Sequence, residues 1–235
     1  MGNIAEMCAK DNNFTRQEQD EFAAISYQKA IKAQANQLFE REIVAVEVKG
    51  RKSSTLVNED EEPKRVKFDK IPVLNPVFEK NGTITAANAS KINDGAAALI
   101  IADESMASES NIKPLAKIVA YTTFAQSPNL FTTAPIYAMQ KLFEKTNKKP
   151  SDIDLYEINE AFSVVTMVAQ KALSLKDEQI NVHGGAVALG HPIGASGARI
   201  LTTLVHALHT YDKTFGMASI CIGGGEAIAV LIERL

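Results

Sequence analysis

Three separate blocks of this 235-residue chain carry the residue types that acyl chemistry uses. The first is the stretch 181–199, NVHGGAVALGHPIGASGAR, with five glycines, one proline and two histidines. His191 stands between Gly190 and Pro192, with Gly194 close behind. Glycine admits close backbone approach and φ > 0, and Pro192 suits the first turn of a helix. After it, Ala195, Ala198, Ile200, Leu201, Leu204, Val205 and Leu208 recur at helical spacing. His191 is therefore expected at the mouth of a helix N-terminus, where backbone N–H groups suit an oxygen that carries or develops negative charge. The second block is Cys221, with Ile222 and the three glycines 223–225, at the end of an apolar run. The third is Asn159-Glu160-Ala161-Phe162, after the strand-like residues 153–158. An imidazole, a thiol and an amide beside glycine N–H groups can move a proton and hold an oxyanion.

Each residue also has a plainer reading. Cysteine is among the most buried residue types, so Cys221 could simply be packed. Asn159 could be a helix cap, and Glu160 reads as a helix-start residue. The setting of His191 favours a fixed, functional ring. His183, at the end of an expected strand, reads as structural. His206 and His209, one turn apart, read as a solvated face rather than a metal pair. Cys8 sits in a helical context and reads as packed. Residues 185–190 have P-loop-like glycine spacing, but His191 stands where lysine is needed, and no G-x-G-x-x-G is present.

The elements that must position these groups alternate. Residues 1–40 read as helix. A capping box runs from Thr15 to Glu18, and Phe22, Ile25, Ala30, Ala33 and Leu38 are expected to form the apolar face. A strand is expected at 43–48 and a charged surface loop at 50–70. Within that loop Arg65 is either solvated or functional. The small, polar stretch 83–94 invites close packing against its backbone by a ligand or a helix, and 95–102 reads as a buried strand. A domain boundary is expected at 110–114. Strands then follow at 115–121, 155–158, 179–182, 215–221 and 227–233, with helices at 134–146, 161–173 and 195–209. The last two strands form a hairpin around the triple glycine. Strands alternating with helices predict an α/β fold with a helix-covered sheet.

Composition narrows the classes. The chain is 46% apolar with a net charge of −3, which supports a sizeable core and gives no reason to expect nucleic acid or an anionic membrane. No apolar run reaches the length of a membrane span, and the opening residues read as neither a signal core nor a presequence. Two cysteines far apart do not suggest a disulfide framework and fit a reducing compartment.

Taken together, NEAF at 159–162, GGAVALGHPIGASGAR at 184–199 and CIGGG at 221–225 resemble the thiolase family. So do MGxxAE at the start, RxEQD at 16–20, TAANAS at 85–90 and NDGAAA at 93–98, so the likeness runs through essentially all of the chain. The block EDEEPKRVKFDKIP at 59–72 is most similar to the mitochondrial branch, which implies a mitochondrial matrix location, with the cytoplasm as the alternative. The resemblance implies a partial thiolase-like fold. Residues 1–92 would be a loop domain covering coenzyme A. Residues 93–113 would be the last strand segment of an N-terminal domain, and 114–235 a layered αβα C-terminal domain. It implies acetyltransferase chemistry on acetyl-CoA, acetoacetyl-CoA and coenzyme A, with no cofactor, in a homo-oligomer, dimer or tetramer. By the same resemblance His191 activates the acylated cysteine and holds the thioester oxygen. Cys221 is the acid/base, Asn159 positions a water, and Gly223 offers its N–H to the acyl oxygen. Arg65, Ala86 and Ser90 line the coenzyme A site, with Phe162 at the pantetheine tunnel.

Two departures stand out. The family's nucleophilic cysteine belongs to an N-terminal segment that these residues do not contain, so the apolar faces of 93–113 are expected to be uncovered. Pro63 replaces a tyrosine that helps bind potassium in the mitochondrial branch, which puts a potassium effect in question. The alternative reading is an inactive truncated thiolase serving as a coenzyme A-binding or subunit-pairing module.

Overall fold

The computed structural model describes residues 1–110 and 112–235. The boundary expected at 110–114 includes Asn111, which lies outside the described residues. In chain order the elements are α1 (Gly2–Asp11), α2 (Arg16–Ala35), β1 (Val46–Lys49), β2 (Ser54–Val57), α3 (Glu62–Arg65), α4 (Glu104–Glu109), β3 (Ala116–Ala125), α5 (Ala134–Thr146), β4 (Leu155–Ile158), α6 (Ser163–Leu173), α7 (Ala186–Leu189), α8 (Ser196–Thr210), β5 (Phe215–Ile222) and β6 (Glu226–Arg234).

The four strands of the second half form one mixed sheet in the order β3-β6-β5-β4. β4 and β5 run parallel, and the other two pairings are antiparallel. Alternation along β5 and β6 sends their side chains to opposite faces. Met217, Cys221, Ala227, Ala229 and Leu231 pack with α5 and α6, while Ala218 and Ile232 pack with Ile200, Leu204 and Leu208 of α8. The result is the expected αβα layering. The expected helix at 134–146 and strand at 155–158 have the observed bounds, and β5 and β6 form the expected hairpin.

Four expectations differ. Residues 95–102 form no strand and are largely exposed, Ile100 fully and Ile101 at 70%. Among the described residues they have no ladder partner, so their apolar side chains have no sheet in which to be buried. Residues 179–182 are not a strand either. Ile180 makes a single parallel bridge to Tyr156, and Asn181 then turns with φ 44°, which ends any ladder. The loop 50–70 holds β2 and α3, and β2 pairs with β1 in an exposed hairpin. Finally, the buried face of α2 is not the large apolar set. Ile25 is exposed, and Ala23, Ser26, Tyr27, Ala30 and Ala33 face inward. Small side chains are needed there because the backbone at Gly184 comes within contact of Ser26 and Ala30.

His183 is structural, as expected, and fully buried. Its ring sits edge-on to Phe39 with centroids 5.5 Å apart, and 5.6 Å from the Tyr211 ring. Neither ring nitrogen has a partner among the described residues. Burial holds its pKa down at about 4, against an ordinary 6.5. Because the folded value lies below the unfolded one, protons bind the unfolded chain preferentially between these pH values. The stabilising effect of the neutral ring is complete above pH 6.5 and is lost as pH falls toward 4. The 2.5-unit gap corresponds to at most about 3 kcal/mol. Urea unfolding of wild type and His183→Asn, followed from pH 7.5 to 4, should therefore show stability falling more steeply in the wild type. Parallel profiles would refute the assignment.

Candidate active site

The site forms at the C-terminal ends of the parallel strands β4 and β5. Asn159 follows β4 directly, and its backbone N–H donates to Ser219 O of β5 at 3.0 Å. Cys221 lies two residues beyond that point on β5. The glycine stretch then carries His191 in. Its Nε2 is 3.4 Å from Asn159 Nδ2. Pro192 opens the turn before α8 rather than the helix itself, since α8 begins at Ser196. The turn still fixes the ring, because Ser196 Oγ is 2.5 Å from His191 Nδ1 and donates to Pro192 O at 3.0 Å. With its own proton committed to that carbonyl, the Ser196 hydroxyl accepts from the ring. Nδ1 therefore carries hydrogen and Nε2 presents its lone pair toward the Asn159 amide. Burial, and secondarily Arg199, holds the imidazole pKa below its ordinary value, so the ring is neutral and basic at Nε2. Asn159 Oδ1 is buried with no partner among the described residues and is an open acceptor.

Residues 83–94 wrap this centre, as their small side chains suggested. The Glu6 carboxylate accepts from the backbone N–H groups of Thr83 and Ile84. Asn88 donates to Asp20 of α2 at 2.9 Å. Ser90 donates to Ala161 O from both its N–H and its hydroxyl, and Ala89 bridges to Phe162. Ser90 and Phe162 thus stand side by side. Phe162 is buried edge-on against Phe78, with centroids 6.1 Å apart. Farther along, Lys91 O and Asn93 Oδ1 both accept from the His191 backbone N–H, at 2.9 and 2.7 Å. Ala86 is exposed, and its carbonyl accepts from Lys91 Nζ at 2.9 Å.

Arg65 and Gly223 are farther from this network. Arg65 is exposed on α3, paired with Glu61 at 3.2 Å and Glu62 at 3.3 Å. Gly223 is exposed in the β5–β6 turn, where a Cβ would sit 3.6 Å from the Met1 sulfur. Cys8 is packed in α1, as expected. Of the other histidines, His209 Nε2 donates to Leu115 O, 2.8 Å away, and among the described residues no group of three metal-ligating side chains occurs.

Sequence reasoning passed over Ser196, Asn93 and Glu160. Ser196 offered a signal, since it follows Pro192 by four residues, the spacing of a hydroxyl folding back on a turn. Glu160 is no helix-start residue. It is buried and accepts from Ser26 Oγ, Asn181 Nδ2 and Val187 N–H.

The family models described as "Thiolase, N-terminal domain" and "Thiolase, C-terminal domain" match residues 1–105 and 112–234. An acetyl-CoA acetyltransferase of Schizosaccharomyces pombe is 48% identical over 237 residues, covering 100% of this chain and 60% of that protein. The mitochondrial acetyl-CoA acetyltransferase of Mus musculus is 50% identical over 238 residues, covering 100% of this chain and 55% of that one. The crystal structure of the Acat5 thiolase from Ascaris suum in complex with coenzyme A matches with a TM-score of 0.90 and 44% identity, over 100% of this chain and 60% of that one. The chain thus spans a little over half the length of these relatives.

Cys221 is 7% exposed, and burial pushes its thiol up to about 12; Cys8 is raised for the same reason. The thiolate is the reactive form. In the folded chain at pH 7.5, alkylation of Cys221 by iodoacetamide should be slower than in urea by about three orders of magnitude, the ratio a three-unit shift implies. Mass-resolved labelling reads both cysteines, and rapid native labelling of Cys221 would contradict this environment.

Both domain models, together covering nearly all of the chain, establish that it belongs to the thiolase family.

Proposed function

We propose that this chain is the coenzyme A-facing, acid/base part of an acetyl-CoA acetyltransferase. The reaction is thiolytic cleavage of acetoacetyl-CoA or, in reverse, condensation of two acetyl-CoA. The observation that carries the reading is the approach of His191 Nε2 to Asn159 at the end of β4, beside the parallel strand β5 that holds Cys221. A bare Nε2 takes the proton of a nucleophilic thiol, and the resulting Nε2–H then donates to the thioester oxygen. In thiolysis the Cys221 thiol gives its proton to the departing acetyl carbanion and the thiolate left behind takes one from coenzyme A, and condensation runs these two transfers in reverse. Asn159 orients a water, and the Gly223 N–H meets the acyl oxygen. Ala86, Ser90 and Phe162 line the pantetheine path, and Arg65 meets the nucleotide end once released from Glu61 and Glu62. The acylated cysteine itself comes from a segment outside these 235 residues.

The division into a loop domain at 1–92, a strand segment at 93–113 and a C-terminal domain at 114–235 belongs to this reading. So does assembly as a homo-oligomer, dimer or tetramer. The name of the mouse relative supports a mitochondrial matrix location, with the cytoplasm as the alternative. A potassium effect stays in question: Pro63 is buried and offers no side-chain oxygen in place of the tyrosine. One observation favours the second reading, a coenzyme A-binding or subunit-pairing module. Neither cysteine of this chain is exposed or acidic enough to carry an acyl group unaided.

Acetoacetyl-CoA thiolysis and coenzyme A binding by the purified 235-residue chain test the proposal together. Binding by calorimetry without turnover is the expected result, and Arg65→Ala should weaken binding about fivefold, the share of an exposed charge contact of roughly 1 kcal/mol. Absence of binding would refute the coenzyme A site. Robust turnover abolished by Cys221→Ala would overturn the assignment of the nucleophile to another segment.

A further inference from the structure

Glu157 and Arg199 belong to no step above, yet they occupy a telling position. Glu157 is the third residue of β4, two before Asn159, and is 1% exposed. Arg199 is in the first turn of α8, three residues after the Ser196 that holds the His191 ring. Arg199 Nη1 reaches Glu157 Oε2 at 3.4 Å, while Glu157 Oε1 is buried with no partner among the described residues. The pair thus joins α8, which follows the His191 turn, to β4, which leads into Asn159.

We propose that Glu157 and Arg199 are positioning residues, whose buried contact sets α8 against β4 and so holds His191 Nε2 at the Asn159 amide. This rests on the reading of His191 and Asn159 given above, but its test reads the imidazole directly and needs neither ligand nor turnover.

A stabilising role alone does not account for the pair. Replacing a buried ion pair by well-packed apolar groups is often neutral or favourable, so such pairs are poor stabilisers and better orienters. Crowding of charge here supports that view. Glu42, from the segment after α2, and Asp60, from the segment after β2, also feel the Arg199 charge, though only Glu157 is within 4 Å of the guanidinium, and Glu42 meets Thr203 of α8. Glu160 and Lys29 complete the charged groups that bear on Glu157. Burial, opposed by Arg199, pushes Glu157 up to about 8 and Glu42 up to about 7. Three carboxyl groups near one cation is a costly arrangement to keep for cohesion. It does direct the α8 turn toward both β4 and the segments packed over it.

The experiment is long-range ¹H–¹⁵N spectroscopy of the histidine side chains in the labelled 235-residue chain at pH 9, where Glu157 is ionised and the histidines are neutral. The four histidines are resolvable, and His191→Asn assigns the signal in question. In the wild type His191 should show a protonated Nδ1 and a bare Nε2. Glu157→Gln and Arg199→Met should each move the Nε2 resonance toward the tautomer average, as donation from Asn159 is lost. Arg199→Lys, which keeps a cation opposite Glu157, should restore most of the wild-type value. Signals of His183, His206 and His209 and the far-ultraviolet circular dichroism should stay unchanged. Wild-type His191 shifts in Glu157→Gln and Arg199→Met would overturn the proposal, as would displacement of all four histidines together or unfolding of both variants. If Glu157→Gln alone fails to fold, Arg199→Met decides, because its side chain is already 21% exposed.

Discussion

The Glu160 carboxylate is the constraint on which the rest of the site depends. A carboxylate in the interior costs several kcal/mol unless donors surround it. Glu160 offsets part of that cost with three donors from three places, Ser26 Oγ at 2.8 Å, Asn181 Nδ2 at 2.8 Å and Val187 N–H at 3.1 Å, although burial still holds its carboxyl above the ordinary range. Ser26 passes the link on by accepting from Gly185 N–H at 3.0 Å. Helix α2, the end of β4 and the glycine stretch are tied at a single point, and none can shift without exposing an unpaired acceptor. The identity of Gly185 follows. A Cβ there would lie 2.1 Å from the Glu160 carboxyl carbon, so no larger residue fits while the carboxylate stays. Gly184 beside it has φ +81° and presses on Ser26 O, which closes the same door from the backbone side.

From that point the chemistry is set by short covalent distances. Asn159 precedes Glu160, so anchoring the carboxylate also anchors the amide. Asn181 extends the anchoring, since its side chain pairs with the backbone of Ile158 in both directions. On the other side, Val187 lies four residues before His191, across the single turn of α7. What remains free is the direction of the imidazole, which Ser196 restricts at Nδ1 while Lys91 O and Asn93 Oδ1 hold the backbone N–H behind it. An active site assembled from loops is thereby as rigid as one built on strands, because each loop is fastened by a buried polar group that has nowhere else to bond.

The second half of the fold was legible because its signals are local. Pro135 and the apolar spacing after it define α5, and the unbroken run 155–158 defines β4. The glycines at 223–225 mark the hairpin. His191 and Cys221 were legible as chemistry for the same reason, since their neighbours are unusual. Glu160 was not, because an acidic residue at a strand-to-helix junction looks the same whether it caps a helix or accepts from residues 134 positions away. The buried face of α2 was misjudged because hydrophobicity is a proxy for burial only where space is not limiting. Against Gly184 space is limiting, so Ala30 goes inside and Ile25 outside. Residues 95–102 show the opposite failure. Their pattern describes a strand that needs a ladder, and no local rule can say whether the ladder is supplied.

The electrostatic state of the site also explains why two functional readings share one structure. The Cys221 thiol sits at about 12 and the His191 imidazole below 6.5. Moving a proton from the thiol to the imidazole across that gap is strongly uphill. Both groups are therefore neutral at rest, and nothing within the described residues narrows the gap, since Arg199 pushes the imidazole further down. A ligand that brings an oxyanion within reach of Nε2 raises the imidazole. Backbone donors beside the sulfur would lower the thiol. On the proposed reading, catalysis depends on charge that arrives with the acyl group, whereas recognition of coenzyme A rests on the walls formed by residues 86–90 and Phe162 and on Arg65. The walls can persist without the chemistry, but the chemistry cannot proceed without something to develop charge between His191 and Cys221.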